Sequence, residues 1–288
     1  MNAKVVLITG SSSGFGRLLV NAFLARGSRV AGTLRNAGRS EEIFRQELKN
    51  YPDRFFPLPL DVTSEEERKA AAEFIERKLD GRLDCLINNA GFGVFGPLEE
   101  ISEAQIREQL EVNFFGTVLL TRQLLPALRM SRGRVINISS ALGFIGMPLT
   151  SMYSASKFAL EGLSESLYYE LKPHGVQVAI VEPGRFRTSF AINQQFADQS
   201  IAENSPYIAQ KASFRRSRER RASGPGNPAA PVIEAVVRLA EMNEMPLRVR
   251  CGKDARLGYA VKRILPERLQ TMVFSAVYRK MFSDGEKG

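Results

Sequence analysis

A doubly wound parallel α/β sheet with helices on both faces is the fold that the sequence predicts, and three observations predict it. Short apolar or β-branched runs alternate with helical patterning through the first two thirds of the chain, the order that builds parallel sheets through right-handed crossovers. A glycine-rich loop joins the first apolar run to the first helical stretch. The 288 residues, 44% hydrophobic and 25% charged, suit one large globular domain and exclude a disordered or fibrous chain.

The strands are expected at residues 5–9, 29–34, 55–60, 85–88, 134–139 and 176–181, each an apolar run closed by turn residues. Between them, helical spacing covers residues 15–26, 40–50, 64–79, 102–130 and 151–171. Ser64 and Ser102 stand three residues before Glu67 and Gln105, the spacing of a helix-capping box. Repeating the strand–helix–strand unit covers both sheet faces and places ligands at the carboxyl ends of the strands.

After Gly184 the alternation stops. Residues 187–228 read as a substrate lid and linker, because they hold a basic stretch at 211–221 followed by a run rich in glycine and proline at 222–228. A helix at 229–242, a short strand at 247–250 and an amphipathic helix at 266–282 then form a C-terminal extension, 229–288, on the substrate side. All of it belongs to a single domain, 1–288.

Composition narrows the function classes. Cys85 and Cys251 lie far apart with no Cys-x-x-Cys or Cys/His spacing, so neither a disulfide framework nor a metal site is expected, and a reducing, cytoplasmic setting is. The opening apolar run is too short for a signal peptide. The longest uncharged stretch, residues 135–156, is broken by Asn137, Ser139, Ser140 and several glycines, so no integral membrane segment is expected. Residues 1–190 carry 23 Lys/Arg against 21 Asp/Glu, whereas 191–288 carry 17 against 10. The basic excess thus sits in the C-terminal third, where it suits an anionic group or simply a solvated face. No nucleic-acid partner is expected.

The loop Gly10-Ser11-Ser12-Ser13-Gly14-Phe15-Gly16 follows the first strand and opens a helix. Glycines let the backbone turn tightly and approach a pyrophosphate, and the free N–H groups and dipole of a helix start favour its charge. A carboxylate at the end of the second strand would bind the adenosine ribose of NAD, but that strand ends Gly32-Thr33-Leu34-Arg35. Arg35 instead suits a ribose 2′-phosphate, with Arg17 as a possible helper, which points to NADP(H). The alternatives are a structural turn and two solvated arginines.

Tyr153 and Lys157 share one helix face at spacing i, i+4. A nearby ammonium lowers a phenol pKa from its usual value near ~10, which makes tyrosine usable as a general acid and base. The same pattern also occurs in purely structural helices.

Over residues 4–190 the chain resembles the short-chain dehydrogenase/reductase family. The resemblance rests on the glycine loop, on Asp61-Val62 after the third strand, on Asn88-Asn89-Ala90-Gly91, on Asn113 in Val112-Asn113-Phe114-Phe115-Gly116, on Ser140 thirteen residues before Tyr153, and on Pro183-Gly184 with Thr188. It implies a Rossmann-type domain. It also implies cofactor contacts at Gly10, Ser12, Ser13, Gly14, Phe15, Gly16, Asp61, Val62, Asn88, Ala90 and Gly91, and at Pro183, Gly184, Phe186 and Thr188 around the nicotinamide carboxamide. Phe186 departs from the family's usual β-branched residue. Taken singly, Asp61 also fits a turn cap, Asn88 a bridge between strands, and Ser139 the serine facing the site.

By the same resemblance Tyr153 protonates the substrate oxygen, Ser140 hydrogen-bonds it, Lys157 binds the nicotinamide ribose and lowers the tyrosine pKa, and Asn113 holds a water of a proton relay. The branch most resembled acts on hydroxysteroids and retinol. That implies an apolar carbonyl or alcohol substrate, an NADP(H)-dependent oxidoreductase, and a homodimer or homotetramer. A cleft built from Phe92, Val94, Phe95, Leu142, Phe144, Met147, Leu149, Phe186 and Phe190 would receive the substrate. The alternatives are a 3-oxoacyl carrier protein reductase, docked through residues 211–221, and a non-catalytic NADP(H) sensor. His174 is expected in an exposed turn.

Overall fold

The computed structural model describes residues 3–186, 194–198, 204–223 and 228–283. Seven parallel strands form the central sheet: β1 (Val5–Ile8), β2 (Arg29–Leu34), β3 (Phe55–Pro59), β4 (Cys85–Asn88), β6 (Arg134–Ile138), β7 (Gln177–Pro183) and β9 (Arg248–Cys251). Their order across the sheet is β3-β2-β1-β4-β6-β7-β9. The order reverses between β1 and β4, and that switch point opens the crevice in which such sheets bind ligands. The register there is Ile8 beside Gly32 on one side and Ile87 on the other.

Because helices cover both faces, the inner strands are apolar at consecutive positions rather than at alternate ones, as in Val5-Val6-Leu7-Ile8. Val6 and Ile8 point into one core with Leu19, Val20 and Phe23 of α1 (Gly14–Ala25) and with Val232 and Val236 of α9 (Ala230–Glu241). Val5 and Leu7 point into the other. There they meet Ala71 and Ile75 of α4 (Glu65–Lys78), Leu120, Leu124 and Leu128 of α6 (Gly116–Ser131), and Leu171 at the end of α7 (Ser151–Leu171).

Two expected helices are interrupted. The stretch 40–50 is split into α2 (Ser40–Ile43) and α3 (Arg45–Asn50) around Phe44, which is fully buried against Phe55 at 4.9 Å. The stretch 102–130 is broken into α5 (Glu103–Leu110), a π-helical turn Glu111–Phe115, and α6. Ser64 caps α4, and Ser102 with Gln105 closes the expected capping box of α5.

Three elements escaped the sequence reading. A separate two-stranded sheet pairs β5 (Gly93–Phe95) with β8 (Gln194–Phe196), a pairing between distant short segments that leaves no local pattern. Helix α10 (Lys253–Ile264) buries only Ala255 and lies between the expected strand and the last expected helix. The segment expected to be a lid and linker contains β8 and a long helix, α8 (Ile208–Ser223), and α11 (Glu267–Ser283) lies against that helix. No helix among the described residues is long and apolar enough to cross a membrane.

Candidate active site

The carboxyl ends of β1, β4, β6 and β7 bring together the glycine loop, the Asn89-Ala90-Gly91 segment, Ser140 with Tyr153 and Lys157, and the Pro183-Gly184 segment. At one end, the loop after β1 carries Gly10 and Gly14 at φ +66° and +57°, the left-handed region that favours glycine. A Cβ on Gly10 would lie 2.8 Å from Ala90 Cα, and one on Gly16 would run into the Gly10 carbonyl and lie 2.7 Å from Asn89 Nδ2. These two glycines therefore let the first turn of α1 seat on the loop and on the end of β4. Ser13 occupies the N-cap of α1 without a side-chain cap bond, and no acidic residue stands in its first turn, in contrast to α4 and α5. The N–H groups around Ser12, Ser13, Gly14 and Phe15 are thus a donor set that fits the pyrophosphate of a dinucleotide.

The loop is braced by residues the sequence reading left out of the site. Thr9 Oγ1 accepts hydrogen bonds from the backbone of Asn89 and Ala90, both at 2.9 Å, while Asn89 Nδ2 donates to the carbonyls of Thr9 at 2.9 Å and Gly10 at 3.1 Å. Asn88 corrects an expectation. Its amide faces the interior and donates to Thr121 Oγ1 at 3.0 Å and Asn137 Oδ1 at 2.8 Å, so its side chain bridges β4, β6 and α6 and does not face the crevice. Side chains alternate along a strand, and the second asparagine of the pair is therefore the one that reaches the loop.

Asp61 caps its turn, with Oδ1 accepting from the Thr63 amide at 2.9 Å and the Thr63 hydroxyl at 2.7 Å. Val62 is buried against Gly116, whose missing side chain lets α6 start there. Arg35 stands exposed just past β2. Arg17 is not its helper: it donates to the Ile43 carbonyl, pairs with Glu47 at 2.7 Å and lies over the Phe44 ring at 4.8 Å. Those bonds hold it on α2 and α3.

At the other end of the crevice, Tyr153 and Lys157 lie on the first turns of α7 and both are buried, at 7% and 5% exposure. Ser140 follows β6 and is hydrogen-bonded to Tyr153, and its Oγ also accepts from the Leu142 amide at 3.1 Å. Ser139 points the opposite way, into a buried position beside Glu161, so of the two serines Ser140 is the one that faces Tyr153.

Burial pushes the Tyr153 phenol up to about 12, with the Ser140 hydrogen bond pulling the other way. This direction is opposite to the lowering expected from the Tyr/Lys spacing. The Lys157 ammonium donates to the Ile138 carbonyl at 2.9 Å and lies 5.9 Å from the Tyr153 ring centroid, so desolvation dominates. Burial pulls Lys157 down to about 8, and the Glu161 carboxylate opposes that shift.

Asn113 sits in the π-helical turn with its side chain committed to structure: Nδ2 donates to the Phe92 carbonyl at 2.9 Å and Ser156 Oγ at 3.1 Å, and Oδ1 accepts from the Phe92 amide at 3.1 Å. A Cβ on Gly91 would lie 3.0 Å from Asn113 Oδ1 and 3.9 Å from Lys157 Nζ. Gly91 therefore packs closely against the Asn113 side chain, with Lys157 Nζ just beyond.

The segment after β7 closes the crevice. Gly184 donates to the Cys251 carbonyl at 2.8 Å, a side chain on it would collide with the Asp254 carboxylate, and Asp254 accepts from the Arg185 amide at 2.7 Å. Phe186 sets its ring edge-on to Phe15 at 6.1 Å, which joins the Pro183-Gly184 segment to the glycine loop. Thr188 and Phe190 lie outside the described residues.

The residues expected to line an apolar cleft divide among separate packed clusters. Phe95, Leu149 and Tyr153 form one cluster with Leu142 beside it, and Phe214 of α8 completes it. Phe92 and Val94 instead join a separate buried cluster with Ile101, and Phe144 turns to Tyr259 at 5.6 Å. Lys211, expected in a solvated or anion-binding basic run, is buried in an ion pair with Glu100 at 2.8 Å. Burial pushes the Glu100 carboxyl up, and hydrogen bonds from Lys211 and Ser205 outweigh it to hold the group below its ordinary value. His174 is exposed in the turn before β7.

Residues 4–199 match the short chain dehydrogenase family. A 3-ketodihydrosphingosine reductase of Bacteroides thetaiotaomicron is 35% identical over 286 residues, spanning 96% of this chain and 99% of the relative. The crystal structure of a short-chain dehydrogenase from Streptomyces avermitilis superposes with a TM-score of 0.79 at 37% identity, covering 97% of this chain and 99% of that one. A short chain dehydrogenase from Burkholderia cenocepacia in complex with NADP superposes with a TM-score of 0.70 at 26% identity, covering 97% and 98%. The chain belongs to the short chain dehydrogenase family: it is an oxidoreductase of CH–OH groups on a fold that binds a nicotinamide cofactor.

Proposed function

We propose that this short-chain dehydrogenase is an NADP(H)-dependent oxidoreductase that interconverts a ketone and a secondary alcohol on an apolar substrate. The observation that carries the reading is the Ser140–Tyr153 hydrogen bond, buried with Lys157 and walled by Phe95, Leu149 and Phe214. The cofactor supplies or accepts hydride at the substrate carbon. This chain holds the oxygen: Ser140 donates a hydrogen bond to it while Tyr153, protonated at neutral pH, delivers the proton. Lys157 keeps a cationic charge beside the phenol, and a water held by Asn113 would link it to solvent.

Two features support NADP(H) over NAD(H). No carboxylate stands at the end of β2, and Arg35 projects there into solvent, where its fork can pair with a 2′-phosphate. The pairing of Lys211 with Glu100 removes one cation from the surface that a carrier protein would use, which favours a free substrate. The test is consumption of NADPH and NADH with ketones graded in size and polarity. Faster turnover with NADPH and bulky lipophilic ketones is expected, and higher kcat/KM for short polar ketones would overturn the substrate class.

A further inference from the structure

Directly behind Lys157 lies a group of charged side chains that the chemistry above does not use. Glu161 stands one turn beyond Lys157 on the same face of α7 and is 7% exposed. Arg248 of β9 donates to Glu161 Oε2 at 3.0 Å and to Glu165 Oε2 at 2.6 Å, and approaches Glu182 of β7 at 3.6 Å. Arg250 pairs with Glu182 at 2.8 Å and lies 3.3 Å from the centroid of the Tyr259 ring on α10. Cys251 also borders Glu182. From β6, the Ser139 hydroxyl faces Glu161: a Cβ on Gly143 would lie 2.6 Å from Ser139 Oγ and 3.2 Å from Glu161 Oε1.

The charges do not balance without Lys157. Once Glu182 has lost its proton, above about 7, the formal charges of Glu161, Glu165 and Glu182 outnumber those of Arg248 and Arg250 by one, and Lys157, one turn before Glu161 on α7, is the cation next to the surplus on the active-site side. On its other sides Lys157 donates to the neutral Ile138 carbonyl, has the neutral Asn113 amide and Gly91 nearby, and lies 5.9 Å from the Tyr153 ring centroid.

We propose that Glu161, held by Arg248, is a positioning residue of the reaction: it is the counter-charge that keeps Lys157 an ammonium ion beside Tyr153, and it seats Ser139 beneath the turn that presents Ser140. The inference rests on the roles given above to Tyr153, Ser140 and Lys157. Desolvation alone would carry Lys157 further below its ordinary value than about 8, and the nearby carboxylate is what limits the fall.

The test reads Lys157 directly. In the full-length chain, NMR titration of the lysine side-chain signals, assigned with Lys157→Arg, follows its deprotonation without turnover. Glu161→Gln is expected to lower the midpoint by about one pH unit, and to move the alkaline limb of NADPH-dependent reduction down with it. Glu161→Met, which removes the charge and supplies an apolar group of similar length, should give the same shift and serves if the glutamine variant does not fold. Glu165→Gln, at the half-exposed rim of the cluster, should shift it by less than a third as much. An unchanged Lys157 titration in either folded Glu161 variant overturns the proposal, because a purely structural role would lower Tm and leave the titration alone. A shifted titration in a chain that reduces no ketone would refute the function proposed above and leave the Glu161–Lys157 coupling standing.

Discussion

The two ends of the crevice are built from different materials. Around the glycine loop the polar side chains of Thr9, Thr33 and Asn89 are spent on backbone groups, and the space is set by the bare α-carbons of Gly10 and Gly16. Around Tyr153 the space is filled with ionisable side chains taken out of water, namely Lys157, Glu161 and Glu182 with their arginine partners. The first end should therefore fail when volume is added. The second should fail when a proton or a charge is removed.

The sharpest way to separate them is Tyr153→Phe, which deletes one hydroxyl and adds no volume. Turnover is expected to fall by at least ~10³-fold while cofactor affinity stays nearly intact, since only the transferable proton is lost. Steady-state rates paired with a cofactor-binding titration check it, and residual activity near wild type would end the proposed chemistry. Gly16→Ala is the converse. A single methyl must displace the Gly10 carbonyl and the Asn89 amide, so a loss of about 2 kcal/mol of stability is expected in denaturant unfolding. Cofactor affinity should weaken with it. If Gly16→Ala kept both stability and affinity, the loop would not be limited by volume.

Arg35→Asp probes the loop end with charge instead. Replacing the cation by an anion at the end of β2 should shift preference from NADP(H) toward NAD(H) by more than tenfold, about 1.4 kcal/mol in relative binding. The ratio of kcat/KM values for the two cofactors reads it. An unaltered protein that used both cofactors equally would refute the role of Arg35.

The same contrast explains what could be read from the sequence. The glycine loop was legible because its spacing and its place between strand and helix are local, and Tyr153, Lys157 and Ser140 were legible as ordered motifs. What each glycine avoids was not legible, because Ala90 and Asn89 meet the loop from eighty residues away. The bond of Arg17 to Glu47 and of Lys211 to Glu100 depended on helices whose docking no local pattern states. Asn88 and Asn89 were separable only by the alternation of a strand end. The upward shift of Tyr153 needed burial, which the i, i+4 spacing does not contain.

The smallest expected effect tests the charged end by stability alone. Burial, with the nearby Glu161 carboxylate, raises Glu182 from its ordinary 4.5 to about 7, and Arg250 and Arg248 oppose the rise. Between those pH values the folded chain keeps a proton that the unfolded chain has released, so this group's contribution to stability is complete below 4.5 and is lost as pH rises through 7. Glu100, shifted downward, acts below that window, and Lys157, shifted to about 8, acts above it. Burial also raises Glu161, against the pull of Ser139 and Arg248, so part of the slope should survive substitution of Glu182. Glu182→Gln should flatten the fall of stability across this range by on the order of 1 kcal/mol, a figure reduced for screening by the arginines. Urea unfolding at pH values on either side of the window measures it, and an identical slope in wild type and variant would show that Glu182 does not titrate there.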